Sequence, residues 1–194
     1  DGEILTMRYQ AMVAAGGKPK KSVVHIPDTF LWYAAVATWS CMDIQRVTYY
    51  TSAAGHHDKI EQIRSLTGKT TFEFDYGVPK GSAQLLPRVF HKSSKSRKTR
   101  NVDINIVIDM MRAAQTNSVE LLLLLSEDGD YIPVIEECMR QGKTVWCCSF
   151  SSGLHSSLPS SVDLYETLDD VNFSKRQTEP NQSSKRTREK ARAA

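Results

Sequence analysis

Two aspartates one residue apart, Asp128 and Asp130, follow closely on five consecutive leucines, Leu121–Leu125. Carboxylates crowded in this way repel each other unless a cation lies between them. Their oxygens suit a hard divalent ion such as Mg²⁺ or Mn²⁺, which can activate water and stabilise a leaving oxygen. The pattern therefore points to metal-assisted chemistry. A turn entering a helix needs at most one capping Asp, so the pair is more specific than either member. Other carboxylates stand where helices are expected to begin: Asp1, and Asp103 with Asp109 further along the same segment. For Asp103 alone, a cap is the simpler reading.

Competing motifs fit less well. An EF-hand loop starting at Asp128 would need Gly where Pro133 stands, and no GxxxxGK[ST] phosphate loop occurs. Ser126 is not in a GxSxG elbow. Asp1-Gly2-Glu3 does not supply the DxD nucleophile of a haloacid-dehalogenase phosphatase. A DxD-type transferase is disfavoured because no nucleotide-sugar features accompany Asp128 and Asp130.

The leucine run reads as a strand buried on both faces of a parallel sheet. That places Asp128 and Asp130 at the strand's carboxyl end, where open α/β sheets bind ligands. Helices are expected at 3–15, at 28–41 (opened by Pro27-Asp28), at 57–66, at 103–116 and at 131–141. The 103–116 helix would put Ile104, Val107, Ile108 and Met111 on its apolar face. Strands are expected at 45–51, 70–76, 121–125 and 143–150, with a short one at 164–168. A long basic loop carries His91, Lys92, Lys95, Arg97, Lys98 and Arg100. Alternating strands and helices imply a three-layer α/β/α fold with a mainly parallel central sheet. A βαβ chain would place a strand ahead of the first helix, so residues encoded upstream of Asp1 are expected to form a β-branched apolar run.

Charge is unevenly distributed. Residues 174–194 carry net +5 and residues 1–173 net −2, which suggests a polyanionic partner. The domain is expected to span 1–172 and a basic, disordered tail 173–194. Cys41, Cys138, Cys147 and Cys148 form no CxxC pair, as expected of reduced core thiols. His56-His57 reads as a helix start, and Trp32, Tyr33 and Trp39 as core more readily than as base-stacking platforms. No apolar stretch is long enough to span a bilayer and no signal peptide is visible, so a cytoplasmic protein without a membrane partner is expected.

In order, the blocks Asp1-Gly2-Glu3-Ile4-Leu5, Arg100-Asn101-Val102-Asp103, Ser126-Glu127-Asp128-Gly129-Asp130-Tyr131-Ile132-Pro133 and Gly142-Lys143-Thr144-Val145 make the chain similar to the NYN domain family, the LabA-like branch of PIN-like nucleases. The resemblance covers roughly residues 1–150. The chain departs from the family pattern in three places. Ile4 replaces an Asn, Arg100-Asn101 replaces Lys-Gly, and Glu127 replaces a Gly. Glu127 either adds charge beside the site or points away from it.

The resemblance implies a PIN-like fold and a Mg²⁺- or Mn²⁺-dependent endoribonuclease. Asp1, Asp103, Asp128 and Asp130 would be its catalytic residues and metal ligands, and Asp109 would support them from behind or be structural. RNA, single-stranded or structured, would be the partner. Lys92, Lys95, Arg97, Lys98 and Arg100 would neutralise its phosphates, with reach added by the tail. Self-association into a homo-oligomer is compatible with this reading. The alternative is a catalytically silent PIN-like module that binds RNA or a protein.

Overall fold

Residues 1–34, 36, 44–74, 81–93 and 100–174 are described by a computed structural model. Helix α1 (Gly2–Ala14) is followed by hairpin strands β1 (Val24–Ile26) and β2 (Phe30–Trp32), then β3 (Thr48–Ala54) and α2 (His57–Lys69). Next come β4 (Thr71–Phe74), β5 (Gly81–Gln84), β6 (Leu86–Lys92) and α3 (Asn101–Ala114). The leucine run is β7 (Leu121–Leu125), which leads through a 3₁₀ turn (Gly129–Tyr131) into α4 (Ile132–Arg140). Strand β8 (Thr144–Ser149), strand β9 (Leu164–Thr167) and a short α5 (Asp169–Asn172) complete the described chain.

Strands β7, β8 and β9 form a parallel sheet with β8 in the middle, and β3 pairs in parallel with β6. Two antiparallel hairpins, β1–β2 and β4–β5, flank them. Because strand residues alternate in direction, neighbours serve opposite layers. Tyr50, Leu124, Val145 and Cys147 pack under Val102, Ile106 and Met110 of α3 and Val134, Ile135 and Cys138 of α4. Cys148 joins Leu5 and Tyr9 of α1 in a second cluster with Leu31, Phe150 and Leu168. Ile60 and Ile63 of α2 lie on Ala53 and Val89. The result is a three-layer α/β/α arrangement with parallel sheets.

Several elements differ from the sequence expectation. The helix expected from residue 28 is a hairpin where it begins. Thr29 N donates to Ile26 O (3.1 Å), and Asp28 takes φ 56° at the turn. Pro27 presets the first turn position, and Asp tolerates the left-handed one that follows. Beyond Val36, the rest of that expected helix, Trp39 and Cys41 included, lies outside the described residues. The start of the expected basic loop is strand instead: His91 and Lys92 belong to β6.

Helix α3 buries a stripe shifted from the one expected, with Val107 and Met111 of the expected face packing partly buried against the core. Val102, Ile106, Met110 and Ala114 face the core, whereas Ile104 and Ile108 are exposed. The segment is apolar on almost every side, so periodicity alone does not choose a face; contact with Tyr50 and Leu124 does. Of the five leucines, only Leu124 is fully buried, because β7 has a single strand neighbour among the described residues while β8 has two. Phe173, assigned to the tail by composition, is core: it bridges to Pro19 and packs on Tyr9 and Phe150.

Candidate active site

Three chain segments bring carboxylates to one rim of the sheet. Asp1 caps α1, its Oδ1 accepting from Glu3 N (3.1 Å) and Ile4 N (3.2 Å). Its backbone nitrogen donates to Leu125 O at 3.0 Å, which ties the start of α1 to the end of β7. Asp128 caps the turn after β7, with its Oδ1 accepting from Asp130 N at 2.9 Å. The capping reading therefore accounts for Asp1 and Asp128 locally but leaves Asp130 without such a role. Asp103 is not the cap of α3; it sits in the first turn and accepts from the Tyr131 hydroxyl at 3.2 Å.

The electrostatics couple Asp103 to Asp128, Asp130 and Glu3, while the Asp1 carboxyl is engaged in capping α1. Burial, foremost, holds the Asp103 carboxyl above its ordinary pKa. The Tyr131 hydrogen bond opposes this, while the negative charges of Asp128, Asp130 and Glu3 add to it. The Tyr131 hydroxyl is itself pushed up, first by burial and then by Asp103. All the donors are carboxylate oxygens, which fits a hard divalent ion. Among the described residues, no three His, Cys, Asp or Glu side chains stand close enough to hold a metal together. Carboxylates carrying like charge repel one another when no cation lies between them.

The profile of the NYN domain family matches residues 33–169. That span takes in Asp103, Asp128 and Asp130, and makes up well over half the chain. The chain belongs to the NYN domain family. NYN domains are PIN-like and generally nucleases. The match begins after Trp32, so Asp1 lies outside it. Among curated proteins, none matches the chain. A crystal structure of a Vibrio parahaemolyticus protein of unknown function superposes with a TM-score of 0.55 at 15% identity, covering 85% of this chain and 88% of that one. At that identity the likeness concerns fold alone.

In this NYN chain the expected basic and supporting residues divide. Lys92 is only 10% exposed and is paired with Glu3, so it is not a free phosphate contact. Arg100 is exposed just ahead of α3. Lys95, Arg97 and Lys98 lie outside the described residues. Asp109 accepts from Tyr50 Oη at 2.8 Å and pairs with Arg88 (3.7 Å) and Arg112 (3.4 Å). These partners link α3 to β3 and β6, and none belongs to the carboxylate cluster. Trp32 is core, donating Nε1–H to Thr71 O at 3.2 Å, and α2 begins at His57 as expected. Ser174 N donates to Lys18 O, so the chain enters its basic end beyond the last turn of α1, a helix length of about 20 Å from Asp1.

Sequence reasoning missed Glu3, Tyr131 as partner of Asp103, and His155. A β-carbon added at Gly129 would fall 2.6 Å from the His155 ring, so a side chain between the two aspartates would force that ring to shift. Tyr131 stood inside the quoted motif, but its reach to α3 is a tertiary fact.

The raised Asp103 pKa carries a testable consequence. A carboxyl raised in the folded state contributes stability that is full below its unfolded value, about 3.9, and is lost as pH rises through the folded value. Charged Asp103 therefore destabilises the metal-free protein at neutral pH. Asp103→Asn keeps an acceptor for Tyr131 and should raise the melting temperature at pH 7. The gain should shrink towards pH 4, as thermal melts at the two pH values would show.

Proposed function

We propose that this NYN domain is a Mg²⁺- or Mn²⁺-dependent endoribonuclease of the LabA-like kind, with Asp1, Asp103, Asp128 and Asp130 as metal ligands. The observation that carries this reading is the shared field of Asp103, Asp128, Asp130 and Glu3, a concentration of hard-oxygen donors in a PIN-like nuclease family. When bound, the divalent ion supplies Lewis-acid activation of water and neutralises charge at the leaving 3′ oxygen. The carboxylates would hold it at the sheet rim, and the Tyr131 hydroxyl, donating to Asp103, would orient that ligand. Arg100 would meet a phosphate flanking the scissile bond with a planar pair of donors. Lys95, Arg97, Lys98 and the basic end would add sequence-independent, salt-sensitive attraction to RNA.

Incubation with single-stranded and hairpin RNA in Mn²⁺, Mg²⁺ or EDTA tests the proposal. Cleavage in either metal and none in EDTA is the expected result. RNA binding without cleavage in either metal would favour the silent module, a reading that the Ile4 departure keeps alive.

A further inference from the structure

Glu127 stands where the resembled motif has glycine, directly beside a proposed metal ligand. A bare carboxylate there would add a competing charge to the cluster. The side chain instead turns inward, where it is 5% exposed and its Oε1 accepts from Nε–H of Arg8 on α1. Arg8 lies seven residues after Asp1, two helical turns along the same side of α1. Its guanidinium rests on Gly153, at φ +86°, where a side chain would overlap it. The same turn after β8 carries His155, whose backbone N–H donates to the Glu127 carbonyl O at 3.2 Å and whose ring covers Gly129. One ion pair thus fastens the helix bearing Asp1 and Glu3 to the turn bearing Asp128 and Asp130, with the 153–155 segment closing over both.

We propose that Arg8, through Glu127, is a positioning residue for the carboxylate cluster. It holds the turn after β7 in register with the start of α1, and it keeps the Glu127 charge out of the metal-binding set. This role rests on the nuclease reading above. It also explains how the chain tolerates Glu in place of Gly: the substitution is matched by an arginine on the facing helix and a glycine that makes room for it.

The test is Mn²⁺ binding by titration calorimetry to the full chain, with a thermal melt of each metal-free variant. Arg8→Ala and Glu127→Ala should each weaken Mn²⁺ binding by about 10–100-fold, the range for residues that orient metal ligands. The double variant should be no weaker than either single one, because both remove the same tie. Glu127→Gln still accepts from Arg8 and should recover most of the alanine loss, to within roughly threefold of the wild type. Arg8→Lys, lacking the fork, should recover less. A merely structural pair would lower the melting temperature without changing Mn²⁺ affinity below it, and that result would overturn the role. So would additive losses, or tighter Mn²⁺ binding by Arg8→Ala, which would mean that freed Glu127 becomes a ligand. Wild-type protein that binds no Mn²⁺ would overturn the nuclease reading and this role together; normal wild-type binding with an indifferent Arg8→Ala overturns the role alone.

Discussion

Asp128→Asn should lower RNA cleavage in Mn²⁺ by more than about 100-fold, beyond the 10–100-fold typical of residues that only support metal ligands. Its folded structure should survive. The Asp128 oxygen that accepts from Asp130 N has a counterpart in the Asn carbonyl, so the cap on the 3₁₀ turn persists. A single-turnover cleavage assay paired with circular dichroism separates the two effects. An active Asp128→Asn protein would sink the metal-ligand assignment. Loss of cleavage with intact secondary structure would place the defect in the chemistry.

Ile135→Ala should do the reverse, acting on stability first. Ile135 is 0% exposed, on the buried side of α4 among Tyr50, Val102, Ile106 and Cys147. Truncation in such a setting costs about 2–5 kcal/mol, since the cavity closes only partly. In a chain of this size that corresponds to a drop of roughly 5–15 °C in melting temperature. Mn²⁺ affinity measured well below the new midpoint should change little, because Ile135 faces the core and not the carboxylate rim. A melting temperature within a degree or so of wild type would show that α4 repacks more freely than its burial suggests.

How much of this was legible beforehand follows from which forces are local. The leucine run, α4 and β8 were readable because an uninterrupted apolar stretch between Gly, Pro and acidic turns has few other destinations. The place of Asp128 and Asp130 in the turn after β7 was readable for the same reason, since a strand end fixes where a following turn lies. The β1–β2 hairpin was not found. Its apolar residues Phe30, Leu31, Trp32 and Val36 also fit a helix, and only the turn at Pro27-Asp28 decides otherwise. The face of α3 was placed only in part: Val107 and Met111 do pack on the core, but the fully buried stripe is Val102, Ile106, Met110 and Ala114, and tertiary contact selects it. At the site, charge read in one dimension misplaced Lys92, which looked like part of an RNA-binding run but neutralises Glu3. Arg8 and Glu127, 119 positions apart, carry no signal that joins them until the helix is laid beside the turn.

The cysteines in β8 and α4 offer a view of breathing in this protein. Burial, foremost, pushes the Cys147 thiol up to about 12, and its S–H donates to Ser126 O at 3.2 Å, two residues before Asp128. Cys148 lies on the opposite face, and Cys138 on the buried side of α4, each with its thiol also pushed up by burial. Since thiolates are the reactive form, none of the three should take up an alkylating reagent in the closed state. Site-resolved labelling would then clock separate openings: Cys147 for the strand end beneath the acidic turn, Cys148 for detachment of the first helix, Cys138 for release of the fourth.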